Sequence, residues 1–192
     1  MNWYKKAEGK PDNYDEMKEW FDKRTGDHIG NVQAYCHKIA KEFPEFAELI
    51  ERGEKHDQSK YKYPEMDPYI YTTWKYKCQD DGKDFECPDG MEEKMNEATE
   101  HHVKNNRHHP EFHCDKEVDL INREDRDKPP EELIDATKMK DLDVAEMCAD
   151  WMSMSKERGG KPQDWAKKNV NVRWKFTDKQ EELIYKILDG VW

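Results

Sequence analysis

The sequence predicts an all-α fold, a single-domain helical bundle. Apolar side chains recur at three- and four-residue spacing in several segments, and no segment alternates apolar and polar residues over a convincing strand length. The chain has 192 residues, and domains usually hold roughly 100–200. Its seven Trp, nine Tyr, six Phe and nine Met supply the large side chains that disordered chains lack. We therefore expect one hydrophobic core under a strongly solvated surface.

The helical pattern divides the chain into eight predicted helices. They lie at about 14–23, 28–42, 45–57, 69–78, 91–106, 136 or 139–156, 162–169 and 178–188. One side of the helix over 91–106 carries Met91, Met95, Ala98, His102 and Asn105. Residues 1–25 are interpreted as an N-terminal arm that packs on the body, and residues 26–192 as the main helical domain. Residues 122–130 are interpreted as a charged connector, with a favourable helix start over 129–132.

Composition excludes several protein classes. The longest uncharged stretches are far shorter than the roughly 20 apolar residues that a membrane span needs, so we expect no membrane partner. Residues 1–6 lack the apolar segment of a secretory signal. The five cysteines are odd in number and form no Cys-x-x-Cys pair, which argues against a disulfide framework and a zinc ribbon. These features favour a reducing, cytoplasmic location.

The formal charge of −11 disfavours non-specific binding to a nucleic-acid backbone, because that mode depends on Lys and Arg displacing counterions. A small phosphate ester remains a suitable partner. The chain has no Gly-x-x-x-x-Gly-Lys phosphate loop, no Gly-x-Ser-x-Gly elbow and no Gly-x-Gly-x-x-Gly turn. Kinase, serine hydrolase and dinucleotide oxidoreductase functions therefore lack their required elements.

Histidines cluster in one short segment. Five of the eight lie within residues 101–113, and histidine is the commonest protein ligand for transition metals. A run of exposed polar residues at a helix end is the alternative. On a helix that persists, His101 and His108 share one face, while His102 and His109 form a parallel stripe about 100° round. We favour His101 and one of His108 and His109 as metal ligands.

A second candidate is His56-Asp57 at a predicted helix end, followed by Lys60. The pair places a nitrogen ligand beside a hard oxygen ligand, and a carboxylate can bridge two metals because it has two oxygens. The alternative is a helix-terminal histidine next to a capping aspartate. The other candidate ligands in the chain favour the metal-binding interpretation of this dipeptide.

The longest predicted helix carries three acids on an otherwise apolar surface. Asp143, Glu146 and Asp150 lie at i, i+3 and i+7. An unpaired buried carboxylate costs several kcal/mol, so each of these groups must be exposed, salt-bridged or bound to a metal. We expect Asp143 and Glu146 to be exposed. Asp150, between Cys148-Ala149 and Trp151-Met152, is expected to face a metal or a histidine.

The order His28, His56-Asp57, Asp150 resembles the His…His-Asp…Asp signature of HD-domain proteins, which are all-α, metal-dependent phosphohydrolases. Lys60 extends the resemblance as His-Asp-x-x-Lys. More specifically, the chain resembles an uncharacterised family of HD-like proteins from bacteria and their viruses over roughly residues 26–190. The motifs that carry this resemblance are His56-Asp57-x-Ser59-Lys60 with Glu65, Asn105-x-x-His108-His109-Pro110-Glu111, Glu146-Met147-x-Ala149-Asp150-Trp151 and Arg173-Trp174-x-Phe176.

The resemblance implies one or two divalent transition-metal ions, with Mn, Fe, Co, Ni and Zn all compatible with mixed nitrogen and oxygen ligands. One ion would be held by His28, His56, Asp57 and Asp150, and a second by His101 with His108 or His109. His108-His109-Pro110-Glu111 also resembles an element of the HD-GYP phosphodiesterases, but the Gly-Tyr-Pro sequence is absent. Specificity for cyclic dinucleotides is therefore not implied.

The implied function is hydrolysis of a nucleotide or other small phosphate ester by a metal-activated water. Asp57 would orient the water and Lys60 would neutralise phosphate charge, with Lys104 or Arg107 as a further substrate contact. Two other functions are compatible with the same residues: a di-iron HD-type oxygenase, and a non-catalytic helical binding module. The location would be the cytoplasm of a bacterium, or of a host cell if the protein is viral.

Overall fold

The computed structural model describes residues 11–116 and 132–192, and it confirms the all-α prediction. The described residues form seven α-helices: α1 Tyr14–Glu42, α2 Leu49–Lys55, α3 Met66–Asp80, α4 Met91–Asn105, α5 Asp141–Arg158, α6 Pro162–Asn169 and α7 Asp178–Val191. Short 3-10 helices occupy Pro44–Phe46, Gln58–Tyr61 and Pro110–His113. Two strands of two residues each, β1 Ile134–Asp135 and β2 Trp174–Lys175, pair in parallel. Such short strands leave no alternating pattern in the sequence.

Helix α1 is continuous where the sequence predicts two helices, over 14–23 and 28–42. Its buried stripe continues through the polar side chains Thr25 and His28. A pattern of apolar residues alone therefore does not show that the two segments form one helix. The predicted boundary between residues 25 and 26 therefore falls inside α1. Residues 1–10 of the predicted arm and the segment 122–130 lie outside the described residues, as does most of the expected helix start over 129–132.

Two apolar clusters form the interior, where the sequence predicts a single core. The larger one joins the second half of α1 to α2, α5, α6 and α7. The smaller one joins Met17 and Phe21 of α1 to α3 and α4. His28 lies on α1 between Phe21 and Val32, which belong to different clusters. A polar region therefore occurs where α1 passes from one apolar cluster to the other.

Helix α5 is buried on nearly every side and packs against α1, α2, α6 and α7. Gly159 ends it with a φ of 71°, a left-handed conformation that glycine adopts without strain. The β1–β2 pair ties the chain before α5 to the chain before α7, and Trp174 of β2 stacks on Trp151 of α5. Within the described ranges, no helix combines the length and apolarity needed to cross a bilayer.

The contact between α1 and α2 depends on Gly53. A Cβ atom at this position would lie 3.2 Å from the Cβ of Cys36 and 3.4 Å from the backbone of Gln33. We expect Gly53→Val to lower the free energy of unfolding by about 1–3 kcal/mol, because the overpacked helices must separate. Chemical denaturation measures the change.

Gly30 provides the control within α1, since a Cβ there would meet nothing within 4 Å. Gly30→Ala is expected to raise the free energy of unfolding by about 0.5–1 kcal/mol through the lower backbone entropy of the unfolded alanine chain. Equal effects of the two substitutions would contradict the packing argument.

Candidate metal centre

The end of α2 places His56 and Asp57 in the protein interior. The helix stops at Lys55, His56 is extended, and Asp57 adopts a left-handed conformation with a φ of 57°. Both side chains are buried. A residue other than glycine rarely adopts this backbone conformation, and such conformations are found at functional sites.

Three residues from different helices form a first group, called here the first trio: His28 of α1, His56 after α2 and Asp150 of α5. Asp150 Oδ1 lies 3.1 Å from His28 Nε2 and 3.8 Å from His56 Nε2. Each residue offers one ligand atom, and these atoms all lie within 4.8 Å of one another. This spacing is suitable for one metal ion.

A second trio consists of His102 near the end of α4 with His108 and His109 in the segment that follows. Their ligand atoms also lie within 4.8 Å of one another. The ring centres of His108 and His109 are 4.2 Å apart, and those of His102 and His109 are 4.9 Å apart. Glu111 anchors the segment, because its Oε1 accepts a hydrogen bond of 2.9 Å from the indole of Trp174 in β2.

The Asp57 carboxylate lies between the two trios. Its Oδ2 is 3.5 Å from His28 Nε2 and 3.6 Å from His56 Nε2, both in the first trio. Its Oδ1 is 3.2 Å from His102 Nε2 and 3.5 Å from His108 Nε2, both in the second trio. A carboxylate with one oxygen facing each set of ligands has the geometry required to bridge two metal ions.

Of the five histidines in the two trios, four direct Nε2 toward the Asp57 and Asp150 carboxylates. The same four direct Nδ1 toward a second layer of polar groups. Such a partner fixes which ring nitrogen carries the proton and how the ring is oriented, as second-layer groups do in metal sites. The Nδ1 contacts are His28 to Ser153 Oγ at 3.1 Å, His56 to Glu146 Oε1 at 3.0 Å, His102 to Glu65 Oε2 at 2.8 Å and His108 to Glu146 Oε1 at 3.5 Å.

The local field keeps the carboxylates ionised. Burial alone would raise the pKa of Asp57, but the neighbouring His56 and Lys60 outweigh it and hold that pKa well below its usual value. Burial likewise opposes ionisation of Asp150, yet the hydrogen bond with His28 lowers its pKa. The pKa of His28 rises to about 9, because its bonds to Asp150 and Asp57 outweigh the effect of burial.

Two histidines of the second trio are held neutral. Burial lowers the pKa of His108, and the nearby His56 lowers it further. Burial, followed by the proximity of His108 and His102, places the pKa of His109 well below its usual value. A neutral imidazole has a free nitrogen lone pair, which is the form that binds a metal.

The residues present fit a metal ion. Among the described residues, seven buried side-chain nitrogen and oxygen atoms make no hydrogen bond, and His56 Nε2, Asp57 Oδ1 and His109 Nε2 are three of them. A buried polar group without a partner costs roughly 1–3 kcal/mol. All three belong to the two trios and the carboxylate between them, and imidazole nitrogen with carboxylate oxygen is a donor set that transition metals accept. Cations bound at the two trios would satisfy all three atoms.

Seven of the predicted site residues lie together in this cluster: His28, His56, Asp57, Lys60, His108, His109 and Asp150. Lys60 Nζ is 2.5 Å from Asp57 Oδ2. Burial lowers the pKa of Lys60, but Asp57 outweighs this effect and raises it. The lysine is therefore a permanent cation next to the carboxylate between the trios.

The expectation that His101 faces inward is corrected by the structure. The His101 side chain is 39% exposed, and its Nδ1 lies 2.7 Å from Glu65 Oε1. His102 takes the inward position, because it continues the buried stripe of Met91, Met95 and Ala98 on α4. That stripe is visible in the sequence and could have identified His102, but His101 was predicted in its place. Glu65 joins both histidines and also accepts a hydrogen bond from Ser59 at 2.9 Å.

Lys104 and Arg107, the other expected substrate contacts, are paired with acids away from the trios. Lys104 forms an ion pair with Glu100 on the surface of α4. Arg107 donates two hydrogen bonds to Asp143, of 3.2 and 3.1 Å. Lys60 is therefore the expected substrate contact that lies against Asp57.

Asp143 and Glu146 are buried, contrary to the expectation that they are exposed. Their exposed fractions are 0% and 4%. Arg52 on α2 pairs with both, at 2.5 Å from Asp143 Oδ1 and 2.5 Å from Glu146 Oε2. Arg52 was not among the predicted site residues, although it precedes His56 by one helical turn.

Comparison with known proteins assigns the chain to a family but gives no activity. A family model described as "Family of unknown function (DUF5662)" matches residues 17–190. No curated protein and no solved structure matches the chain. The matched range contains both trios, Asp57 and the second-layer acids.

The contrast between His101 and His102 can be tested directly. We expect His102→Ala to weaken metal binding by more than the roughly 10–100-fold that the loss of a supporting group costs, because it removes a nitrogen from the second trio. His101→Ala, one residue away and outside the trios, is expected to keep the wild-type metal content. Elemental analysis after dialysis measures both variants. Loss of metal from His101→Ala alone would contradict the assignment.

Proposed function

Because the chain belongs to DUF5662, a family of unknown function, we propose its activity from the chemistry of the site: it is a metal-dependent phosphohydrolase of the HD-domain type. The observation that carries the proposal is the Asp57 carboxylate between two sets of ligands. Its oxygens lie 3.2–3.6 Å from four histidine Nε2 atoms. Pairs of metal ions held this way are common in phosphatases and nucleases.

The HD assignment is supported by which residues meet. His28, His56, Asp57 and Asp150 are the residues of the His…His-Asp…Asp order, and they lie within 4 Å of one another in pairs. They come from three helical elements that are distant in sequence. Their convergence is what the resemblance requires, and it supports the proposal.

When bound, divalent ions would supply Lewis acidity, polarising phosphoryl oxygens and making a water molecule nucleophilic near neutral pH. One ion would be held by His28, His56 and Asp150 and the other by His102, His108 and His109. Asp57 would lie between the two ions. Lys60 would place its ammonium group against the phosphate charge. The apolar clusters on both sides of the site restrict bulk water, which strengthens these electrostatic contacts.

We propose a nucleotide or another small phosphate ester as substrate and the cytoplasm as location. Lys60 is a single point charge, suitable for one phosphoryl group. All five cysteines, at positions 36, 78, 87, 114 and 148, are free thiols, which supports a reducing compartment.

A di-iron oxygenase is the second candidate. The observation that favours it is the donor set: five histidine side chains surround two aspartates in the trios and between them, and iron accepts imidazole and carboxylate ligands. Iron content and dioxygen consumption would separate it from a hydrolase. A binding module would show neither turnover nor oxygen consumption.

The first test is elemental analysis of the purified protein beside Asp57→Ala. We expect near-stoichiometric Mn, Fe, Co, Ni or Zn in the wild type and a large loss in the variant, which removes the oxygens that face both trios. The metal-loaded wild type is then assayed for phosphate release from nucleotides and small phosphomonoesters. Absence of metal after reconstitution with each ion would reject both enzyme functions, and oxygen consumption without phosphate release would favour the oxygenase.

Lys60→Met tests the substrate role separately from metal binding. Methionine keeps the length of the side chain and removes the charge. We expect metal content to stay at the wild-type level and kcat/KM for phosphate release to fall about 10²–10³-fold, the usual cost of losing one charge-stabilising donor. A parallel loss of metal would instead assign Lys60 to the support of Asp57.

A further inference from the structure

One buried acid contacts both trios. Glu146 Oε1 lies 3.0 Å from Nδ1 of His56, in the first trio, and 3.5 Å from Nδ1 of His108, in the second. The ring centres of these two histidines are 4.2 Å apart. Glu146 is 4% exposed, so solvent offers no competing partner. A single carboxylate oxygen therefore contacts the Nδ1 atom of one histidine from each trio.

The other oxygen of Glu146 belongs to an ion-pair network in which the acids are buried and the arginines reach the surface. Oε2 is 2.5 Å from Arg52 Nη2, and the same guanidinium holds Asp143 through Nη1. Arg107 completes the network with two hydrogen bonds to Asp143. Movement of Glu146 would leave Arg52 without one of its two carboxylate partners and the buried carboxylate of Glu146 without its cation, which is costly. The carboxylate is thus rigidly oriented.

Glu65 is the matched contrast. It also receives Nδ1 of a ligand histidine, His102, at 2.8 Å, but its remaining contacts are His101 and Ser59. Neither of those residues belongs to a trio. Glu65 therefore supports the second trio alone, whereas Glu146 supports both.

We propose that Glu146 is a positioning residue that couples the two metal positions, an inference that rests on the proposed metal centre. An ion held by His56 fixes that ring against Glu146 Oε1, and the same oxygen then holds the His108 ring ready for the second ion. Occupancy of one position raises affinity at the other. Arg52 contributes to this coupling because its ion pair with Oε2 keeps Oε1 directed at the two histidine rings.

The test is a Co²⁺ titration of the full-length metal-free protein, followed by visible absorption and by equilibrium dialysis. We expect two ions per wild-type chain, bound with positive cooperativity that is lost in Glu146→Gln. Glu146→Gln is expected to weaken both by about 10–100-fold, because an amide has one acceptor and one donor. The amide at position 146 would face donors on both sides, Arg52 on one and two Nδ1–H groups on the other. Its single oxygen can accept hydrogen bonds from only one of these sides. Glu65→Gln is expected to weaken one ion only.

Two further variants complete the design. Glu51→Gln makes the same chemical change at an exposed surface pair with Lys55 on α2 and is expected to bind as the wild type does. Asp143→Asn leaves the Nδ1 partners of the trio histidines in place and weakens the pairing of Arg52 and Arg107, so it should weaken both ions about tenfold. It answers the question if circular dichroism shows that Glu146→Gln does not fold.

The outcomes separate this inference from the proposed function. A wild type that binds no metal overturns both. Two ions that the wild type binds without cooperativity overturn the coupling and leave the metal centre standing. So does a Glu146→Gln variant in which only one ion or neither is weakened, or the same result for Asp143→Asn if Glu146→Gln does not fold. A wild-type stoichiometry below two also overturns it, since there is then no second position to couple.

Discussion

Burial of the Asp57 carboxylate between two sets of imidazole rings is the constraint that organises the rest of the molecule. An ionised carboxylate removed from water must be paired on every side. Lys60 contacts one oxygen, and histidines from α1, from the turn after α2 and from the α4 region contact both. Three chain segments therefore have to converge on one group, and Asp57 meets them from a left-handed backbone conformation that residues other than glycine rarely adopt.

The division of the interior into two apolar clusters follows from this constraint. A polar group of this size cannot lie inside a continuous apolar core without cost, so apolar side chains collect on either side of it. Helix α1 spans the division, with Phe21 in one cluster and Val32 in the other and His28 between them. Close packing on both sides holds the rings in place, and a site needs this rigidity in order to bind metal ions in a defined geometry.

Local patterns predicted the helices well and the second layer poorly. Apolar periodicity located the helices of the described residues, because each must bury one face. It broke α1 at residues 23–28, since polar Thr25 and His28 occupy buried positions there. His28, His56-Asp57 and Asp150 were found from their order in the sequence. Asp143 and Glu146 were misjudged because a sequence does not show that Arg52, far from them along the chain, pairs with both.

The same network explains why the cations around the site are not interchangeable. Arg107 follows the helix that carries His102 and looks like a substrate contact in the sequence, but it is bound to Asp143, which has no exposed surface. Releasing it toward a ligand would leave a buried carboxylate short of a partner, at a cost a single phosphate contact does not offset. Lys60 differs because its partner is Asp57 itself, the group that lies between the ligands. Under the proposed function, a substrate drawn to this lysine would be brought directly against the metal positions, whereas Arg52 pairs with the Glu146 oxygen that faces away from the histidine rings.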